Sequence, residues 1–485
     1  MSIINSITNL FNATVGRNQD FEQLIAAKDI TRVMSLLDSH QLEAEEAMKE
    51  YDPKTHLIME RKDKVLKDLT GKRKGTLTRW KLPVGYPVYI NEISLVFLFG
   101  QPVKWKQKSE GADAGFQAYT DLLKRMHFNS KIRQCKRLAG SETESAMLFR
   151  VYRNKKNEPD CQIRVLARSK GDEIYTRWDV YENLITFAWG HYSKDVAGKT
   201  TYHLDIFTDN TIYHCQRGTF GWEVEEEDNP IGKIPVIYFK QKKEWDGVEE
   251  LINREEYVAS RRADTNDYFS DPYLVLKAAL LKSMPDKDVE NKTLVANDNV
   301  EDVSKMASFL TWDGQNESKK DELEWLRHHI LTKTFTPDID WSQFKGMSQM
   351  SGKALKQMML LADIKATKHK ENYDELLDRT ASLVISIMAN VLYIAKSEYK
   401  LDELECDHDY QEPFGEDIAE TIKNINESID GGTMSEESGI EQNPLIKDKE
   451  LEKQRIQKQK EEAAKQQQDL FSSTQKKDDI FGGAE

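Results

Sequence analysis

Cysteine is scarce: four residues in 485, Cys135, Cys161, Cys215 and Cys406, with no CxxC pair among them. That spacing excludes a thiolate zinc site and a disulfide framework, and it suits a reducing compartment. Positive charge is also short. Lys and Arg number 69 against 83 Asp and Glu, which leaves a net charge of −14 and a pI near 5.4. So acidic a chain is poorly suited to tight, general nucleic-acid binding, because phosphate neutralisation needs basic surface. Long hydrophobic runs are missing. The most apolar stretch, residues 93–100, is far too short to cross a bilayer. The start, Met1-Ser2-Ile3-Ile4-Asn5, lacks the basic and apolar regions of a signal peptide. A mean hydropathy of −0.68 points to a soluble protein. The basic stretch Gly71-Lys72-Arg73-Lys74-Gly75 has no Ser or Thr at the spacing of a phosphate cradle, so it reads as a solvated loop.

What is present suffices for several packed regions, at 56.1 kDa. Residues 20–67 read as helical and highly charged, with a partial apolar face of Leu24, Ile25, Ile30, Val33, Met34, Leu36 and Leu37. Residues 86–100 read as an apolar helix, which Gly100 would end in the left-handed conformation with Pro102 blocking continuation. From Cys161 to Phe239 the chain turns β-rich, with strand candidates at 162–166, 184–189, 201–207, 211–215 and 229–239. Asp209-Asn210 predicts a hairpin between the third and fourth. A helix is predicted over 246–269. It carries a stripe of Val248, Leu251, Ile252, Tyr257, Val258 and Ala259, with Arg254, Glu255, Glu256, Arg261 and Arg262 on its other face. Strand candidates at 273–277, 293–295 and 308–312 follow.

A second helix, 321–331, shows Leu323, Leu326, Ile330 and Leu331 on one face, and Pro337 is expected to stop it. A loop from Asp338 to Ser348 comes next. Ser351 is a suitable N-cap for a long helix whose apolar positions continue through Leu383, Val384, Ile387, Met388, Val391 and Leu392. Beyond Tyr399 the chain is acidic. It offers a helix at 417–429, a capping box at Ser435, and from Lys447 a Lys/Glu/Gln tail with almost nothing apolar to bury.

Four stretches, in order, resemble the portal proteins of tailed double-stranded DNA phages, of the siphophage type. They are the Gly100-Gln101-Pro102-Val103 turn, the Gly232-Lys233-Ile234-Pro235-Val236 strand, the Thr336-Pro337-Asp338 turn with its short loop and Ser351-Gly352-Lys353-Ala354-Leu355-Lys356 opening a long helix, and the later run of a short helix, Gly431-Gly432, Ser435-Glu436 and a charged tail. The resemblance runs from about Tyr86 to Glu462 and puts the family motif on Pro337, Asp338, Ser351, Gly352, Ala354, Leu355 and Lys356. It implies an α+β, mostly helical portal fold. Residues 1–240 would form a wing, 241–270 and 319–336 two stem helices, and 271–318 a small strand-containing clip. Residues 337–350 would form a channel loop, 351–400 a long helix, 401–446 a crown and 447–485 a disordered tail.

The same resemblance implies a dodecameric ring at one capsid vertex that conducts double-stranded DNA. Its partners would be the terminase large subunit, a head-tail adaptor, and the major capsid and scaffolding proteins. It would have no membrane, metal, cofactor or catalytic residue, and it would reside in the virion, or in host cytoplasm before assembly. Asp338, Asp340, Trp341, Gln343, Phe344, Lys345 and Gly346 would line the constriction. Neighbouring copies would cover Val248, Leu251, Ile252, Leu323, Leu326 and Ile330, a stripe longer than one chain's own core should cover.

Two other classes compete. A metal-dependent nuclease could use Asp338-Ile339-Asp340, Asp407-His408-Asp409, or Pro159-Asp160 with Gln162, although each lacks partners at the right spacing. His328 and His329 are adjacent on a helix and so point to different faces, against joint ligation. A coiled-coil scaffold would explain only the tail.

Overall fold

The computed structural model describes residues 21–67, 71–194, 198–269, 273–276, 307–310, 316–339, 359–393, 397–411, 418–446, 449 and 451–462. It divides into two compact units, Met1–Gln411 and Glu412–Glu485. In chain order the first holds α1 (Ile30–Ser35), α2 (Gln41–Tyr51), β1 (Lys64–Lys67), β2 (Arg73–Leu77), α3 (Tyr86–Phe99), β3 (Lys104–Gln107), α4 (Asp113–Arg125) and α5 (Phe128–Glu142). Eight strands follow: β4 (Glu144–Arg153), β5 (Pro159–Leu166), β6 (Glu173–Trp178), β7 (Leu184–Lys194), β8 (Thr200–Phe207), β9 (Thr211–Arg217), β10 (Trp222–Asp228) and β11 (Val236–Lys240). Then come α6 (Glu249–Phe269), β12 (Tyr273–Leu276), β13 (Ala307–Leu310), α7 (Asn316–Lys333), α8 (Leu360–Ile387) and β14 (Cys406–Asp409).

Two antiparallel sheets form the middle layers, one of five strands in the order β10-β9-β8-β7-β6 and one of three in the order β11-β4-β5. Alternation sorts their side chains. Ala188, Leu204, Ile206, Tyr213 and Cys215 face the N-terminal residues Phe21, Ile25, Ile30, Val33 and Leu37. The intervening Phe187, Trp189 and Phe207 face Ala146, Leu148, Val236 and Tyr238 of the smaller sheet. That sheet turns Met147, Phe149, Ile163, Val165, Ile237 and Phe239 toward Phe99, Leu122, Phe128, Ile132, Leu377 and Val384 of α3, α4, α5 and α8. Because β4 is covered on both faces, its Ala146–Phe149 stretch is a continuous apolar run with no alternation for periodicity to show. β6 and the acidic β10 likewise lie outside the strand candidates.

The structure departs from the sequence expectations at several points. Residues 20–67 are not one helical region. Asp38 and Thr176 exchange backbone hydrogen bonds of 2.8 and 3.0 Å, which draws the chain between α1 and α2 onto the edge of β6, and β1 follows further on. Gly100 keeps right-handed geometry (φ −59°, ψ −40°), because its N–H still donates to Val96 O at 3.0 Å. The basic 71–75 stretch is no simple loop, since Arg73–Leu77 forms strand β2 antiparallel to β1. The strand expected from 229 begins at Val236. The Asn229 side-chain amide holds a turn ahead of it, donating to Thr208 O and Lys233 O, both at 2.9 Å. β8 and β9 do pair as the predicted hairpin, Phe207 opposite Ile212. Residues 273–276 and 307–310 pair with each other, while the candidate at 293–295 lies outside the described residues.

The second unit holds α9 (Ile418–Asp430) and α10 (Glu436–Gln442). Ser435 caps α10, its Oγ accepting from Ser438 N at 3.2 Å. Gly439 allows the close approach, as a Cβ there would sit 2.5 Å from Ile429 Cδ1.

Candidate functional site

The helices α6 and α7 lie against each other. Ile252 and Ile330 share one buried cluster, and Lys319 Nζ reaches Thr265 Oγ1 at 3.3 Å, so the two run antiparallel. Arg254 crosses between them, its Nε and Nη2 both donating to Glu322 Oε1 at 2.8 and 2.7 Å. Much of the expected neighbour-covered stripe is covered by the chain itself. Val248, Ile252, Leu326 and Ile330 are all buried, packed with Ala47, Ile90 and Trp245 or their surroundings. Leu251 and Leu323 are half-buried. Among the described side chains of this pair, Trp325 is 55% exposed and Tyr257 40% exposed.

An extended segment lies along α6. Val84 N donates to Glu256 Oε1 at 2.7 Å, Leu82 N to Ser260 Oγ at 3.0 Å, and Trp80 N to Asp264 Oδ1 at 2.8 Å. Two residues of extended chain advance about 6.6 Å and four helical residues about 6.0 Å. Alternate N–H groups therefore meet acceptors one helical turn apart, and Pro83, at an intervening position, needs no donor. Trp80 Nε1 adds a bond to Asp267, and Arg61 closes the row on Asp264 Oδ2 at 2.7 Å. At the other end His56 Nδ1 lies 2.6 Å from Glu256 Oε1. Burial opposes charge on His56, but this hydrogen bond and the carboxylate outweigh it and hold its pKa above the ordinary value.

The exit from α7 is closed by backbone, three residues before Pro337. Thr336 N donates to Leu331 O at 2.9 Å and Phe335 N to Thr332 O at 3.1 Å, with Phe335 at φ +52°. This is the double-bonded C-terminal turn that normally uses glycine. Pro337 and Asp338 are then held in place. Tyr89 OH donates to Pro337 O at 2.8 Å and accepts from Ile339 N at 3.2 Å, and Arg327 Nη2 donates to Asp338 Oδ1 at 2.5 Å. Tyr86, one turn earlier on α3, donates to Glu255 Oε1 at 2.8 Å, and burial pushes that carboxyl up to about 7. Asp340, Trp341, Gln343, Phe344, Lys345, Gly346, Ser351, Gly352, Ala354, Leu355 and Lys356 lie outside the described residues.

At the root of α6, Glu244 is a buried carboxylate met by two lysines and a histidine. Lys136 of α5 pairs with it, Lys365 Nζ lies 2.7 Å from Oε2, and His369 Nε2 lies 3.1 Å from Oε1. Burial disfavours its charge, yet Lys136 and Lys365 outweigh that and hold it well below the usual carboxylate range. Gly140 lets α5 approach, because a Cβ there would stand 2.1 Å from Asn91 Oδ1 and 3.0 Å from Glu244 Cγ. The segment before α6 is thus tied to α8, the helix that follows the 340–358 stretch. Sequence reading missed this node, since Lys136, Glu244 and the Lys365–His369 turn lie more than a hundred residues from one another. It also missed the acceptors on α6, whose trace was a polar row at 256, 260, 264 and 267.

Asp160, Asp409 and His408, considered above for catalysis, are engaged in ion pairs. Asp160 accepts from Arg125 Nε at 3.3 Å, Asp409 pairs with Lys106, and His408 lies 3.4 Å from Asp374 and 3.3 Å from Asp378. Among the described residues no group of three or more His, Cys, Asp or Glu is placed to hold a metal ion. Burial pushes the thiols of Cys135, Cys161 and Cys215 up to about 12 and that of Cys406 to about 11, away from nucleophilic chemistry.

The family model "Phage portal protein, SPP1 Gp6-like" matches residues 37–466. The chain belongs to this portal family. A curated relative, "Portal protein" of Bacillus phage SPP1, is 23% identical over 322 residues. The match covers 61% of the portal chain and 61% of the relative, so the chain spans under two thirds of that protein's length. A chain of the solved structure "Neck of native GTA particle computed with C12 symmetry" aligns at 11% identity and a TM-score of 0.36, over 75% of the portal chain and 91% of its own length. No helix among the described residues is long and apolar enough to cross a membrane.

Proposed function

We propose that the portal chain is one subunit of a closed ring, a dodecamer as its family implies, at a capsid vertex, through which DNA enters and leaves. α6 and α7 serve as the stem, residues 271–318 as the clip, and 337–350 as a loop at the channel constriction. One observation carries this reading: the Tyr89 and Arg327 contacts fix residues 337–339 at the end of the helix pair, so the next residues start from a rigid base. By sequence, Lys345 is the cation of that stretch and Gly346 its freest backbone joint. A ring of lysines touches phosphates without reading sequence, and each exposed contact is weak enough to release a moving duplex.

The partners are double-stranded DNA, the terminase large subunit, a head-tail adaptor, and capsid and scaffolding proteins. The terminase supplies ATP hydrolysis, so the portal subunit works without catalytic residue or cofactor, in host cytoplasm during assembly and in the virion afterwards. Leu251 and Leu323, together with the open Trp325 and Tyr257, are the stem positions left for a neighbour. The test is packaging by proheads carrying Lys345→Ala or Gly346→Pro. Both variants should assemble, then package slowly or lose DNA. Normal packaging and retention in both would reduce the segment to a connector.

A further inference from the structure

Among the described residues β1 and β2 pair only with each other, as a two-stranded ribbon. Such a ribbon is marginal in water without a surface to cover it. Val65, Leu66 and Leu77 are 46%, 39% and 47% exposed on it, and Lys64 and Arg73 are exposed as well. Residues 61–81 hold nine Lys or Arg (61, 62, 64, 67, 72, 73, 74, 79 and 81) against two Asp (63 and 68), in a chain whose net charge is −14. The base of the ribbon is fixed, Arg79 N donating to Asp63 Oδ1 at 3.1 Å and Arg61 Nη1 to Trp80 O at 2.7 Å.

The opposite chemistry stands elsewhere in the same unit. β10 is the outer strand of the five-stranded sheet, paired on one side with β9, and among the described residues its other edge is unpaired. It reads Trp-Glu-Val-Glu-Glu-Glu-Asp, with Glu223, Glu225, Glu226, Glu227 and Asp228 all exposed. An open edge is a template for another strand, and a row of like charge keeps it from pairing with itself.

We infer that in the ring the basic β1–β2 ribbon of one subunit docks on the acidic β10 edge of a second copy. A head-to-tail ring requires two different, complementary patches on each subunit, and these two supply opposite charge and, among the described residues, open backbone edges. Duplex DNA would answer the cations but leave Val65, Leu66 and Leu77 uncovered. The inference rests on the ring reading, and the experiment separates the two.

Three variants of the full chain are compared with wild type by native mass spectrometry over a dilution series: Lys64→Glu with Arg73→Glu, Glu225→Lys with Glu226→Lys, and all four together. The residues are exposed, so melting should be unchanged. Each pair should raise the concentration for half-assembly by about twofold to thirtyfold, the range lost with two surface ion pairs per seam. The fourfold swap should restore it. Unchanged assembly in both pair variants, or no restoration in the swap, overturns the inference and leaves the ring intact. So does a ribbon variant that assembles normally but loses salt-sensitive binding to linear duplex, which assigns the ribbon to DNA. A wild type that stays monomeric overturns the ring reading and this inference with it.

Discussion

Removing the carboxylate of Glu244 would strand Lys136 and Lys365 in a buried site with no counter-charge. Breaking a buried pair in this way costs about 3–5 kcal/mol, so Glu244→Gln should lower the thermal midpoint of the portal chain clearly, as calorimetry would show. The pH sign follows from the depressed pKa. This stabilisation is present above the unfolded carboxylate pKa and is lost as pH falls through the lower folded value. Glu144 behaves oppositely. It is buried beside Tyr238, whose OH donates to it at 2.7 Å, and burial pushes its pKa up to about 7. The native state therefore holds a proton that the unfolded state has released, and stability falls as pH rises from the unfolded carboxylate pKa to about 7. Glu144→Gln keeps the acceptor for Tyr238 and removes the charge. Its melting temperature should exceed wild type more at pH 8 than at pH 5, and an equal difference at both would refute the assignment.

On the scale of elements, the row along α6 is the feature that sequence pattern hid. Helical periodicity of apolar residues located α6 and α7 to within a few residues, and β-rich composition located β5, β7, β8 and β9. Elements covered on both faces, such as β4, lose their alternation, and β10 has charge where a strand search looks for branched side chains. The candidate site was legible only as the Thr336-Pro337-Asp338 turn. Its supports, Tyr89, Arg327 and the Glu244 node, come from distant parts of the chain and leave no local spacing. Asp264 gives the element-scale test. Asp264→Ala unpairs Trp80 N–H and takes the carboxylate from Arg61 Nη2, at a cost of about 1 kcal/mol for a hydrogen bond at a partly exposed site. Amide exchange in the peptide spanning 78–85 should accelerate while that of β4 and β11 stays slow. Uniform acceleration would mean the row is not an independent unit. Tyr89→Phe should likewise release residues 337–339 without unfolding α7.

At the scale of the whole molecule, the first unit buries its main core by itself and leaves specific features open: the β1–β2 ribbon, the β10 edge, and Trp325 and Tyr257 on the helix pair. These open features, together with family membership over residues 37–466, support the ring proposed above. Leu251→Asp places a charge on the half-buried face of α6 and should shift the population toward monomers and open arcs, read by analytical ultracentrifugation. The most direct test is imaging of the purified wild-type chain by negative-stain electron microscopy. Closed rings with a central channel are the predicted result. A field of monomers, or of closed dimers with no channel, at concentrations where the chain is folded would contradict it.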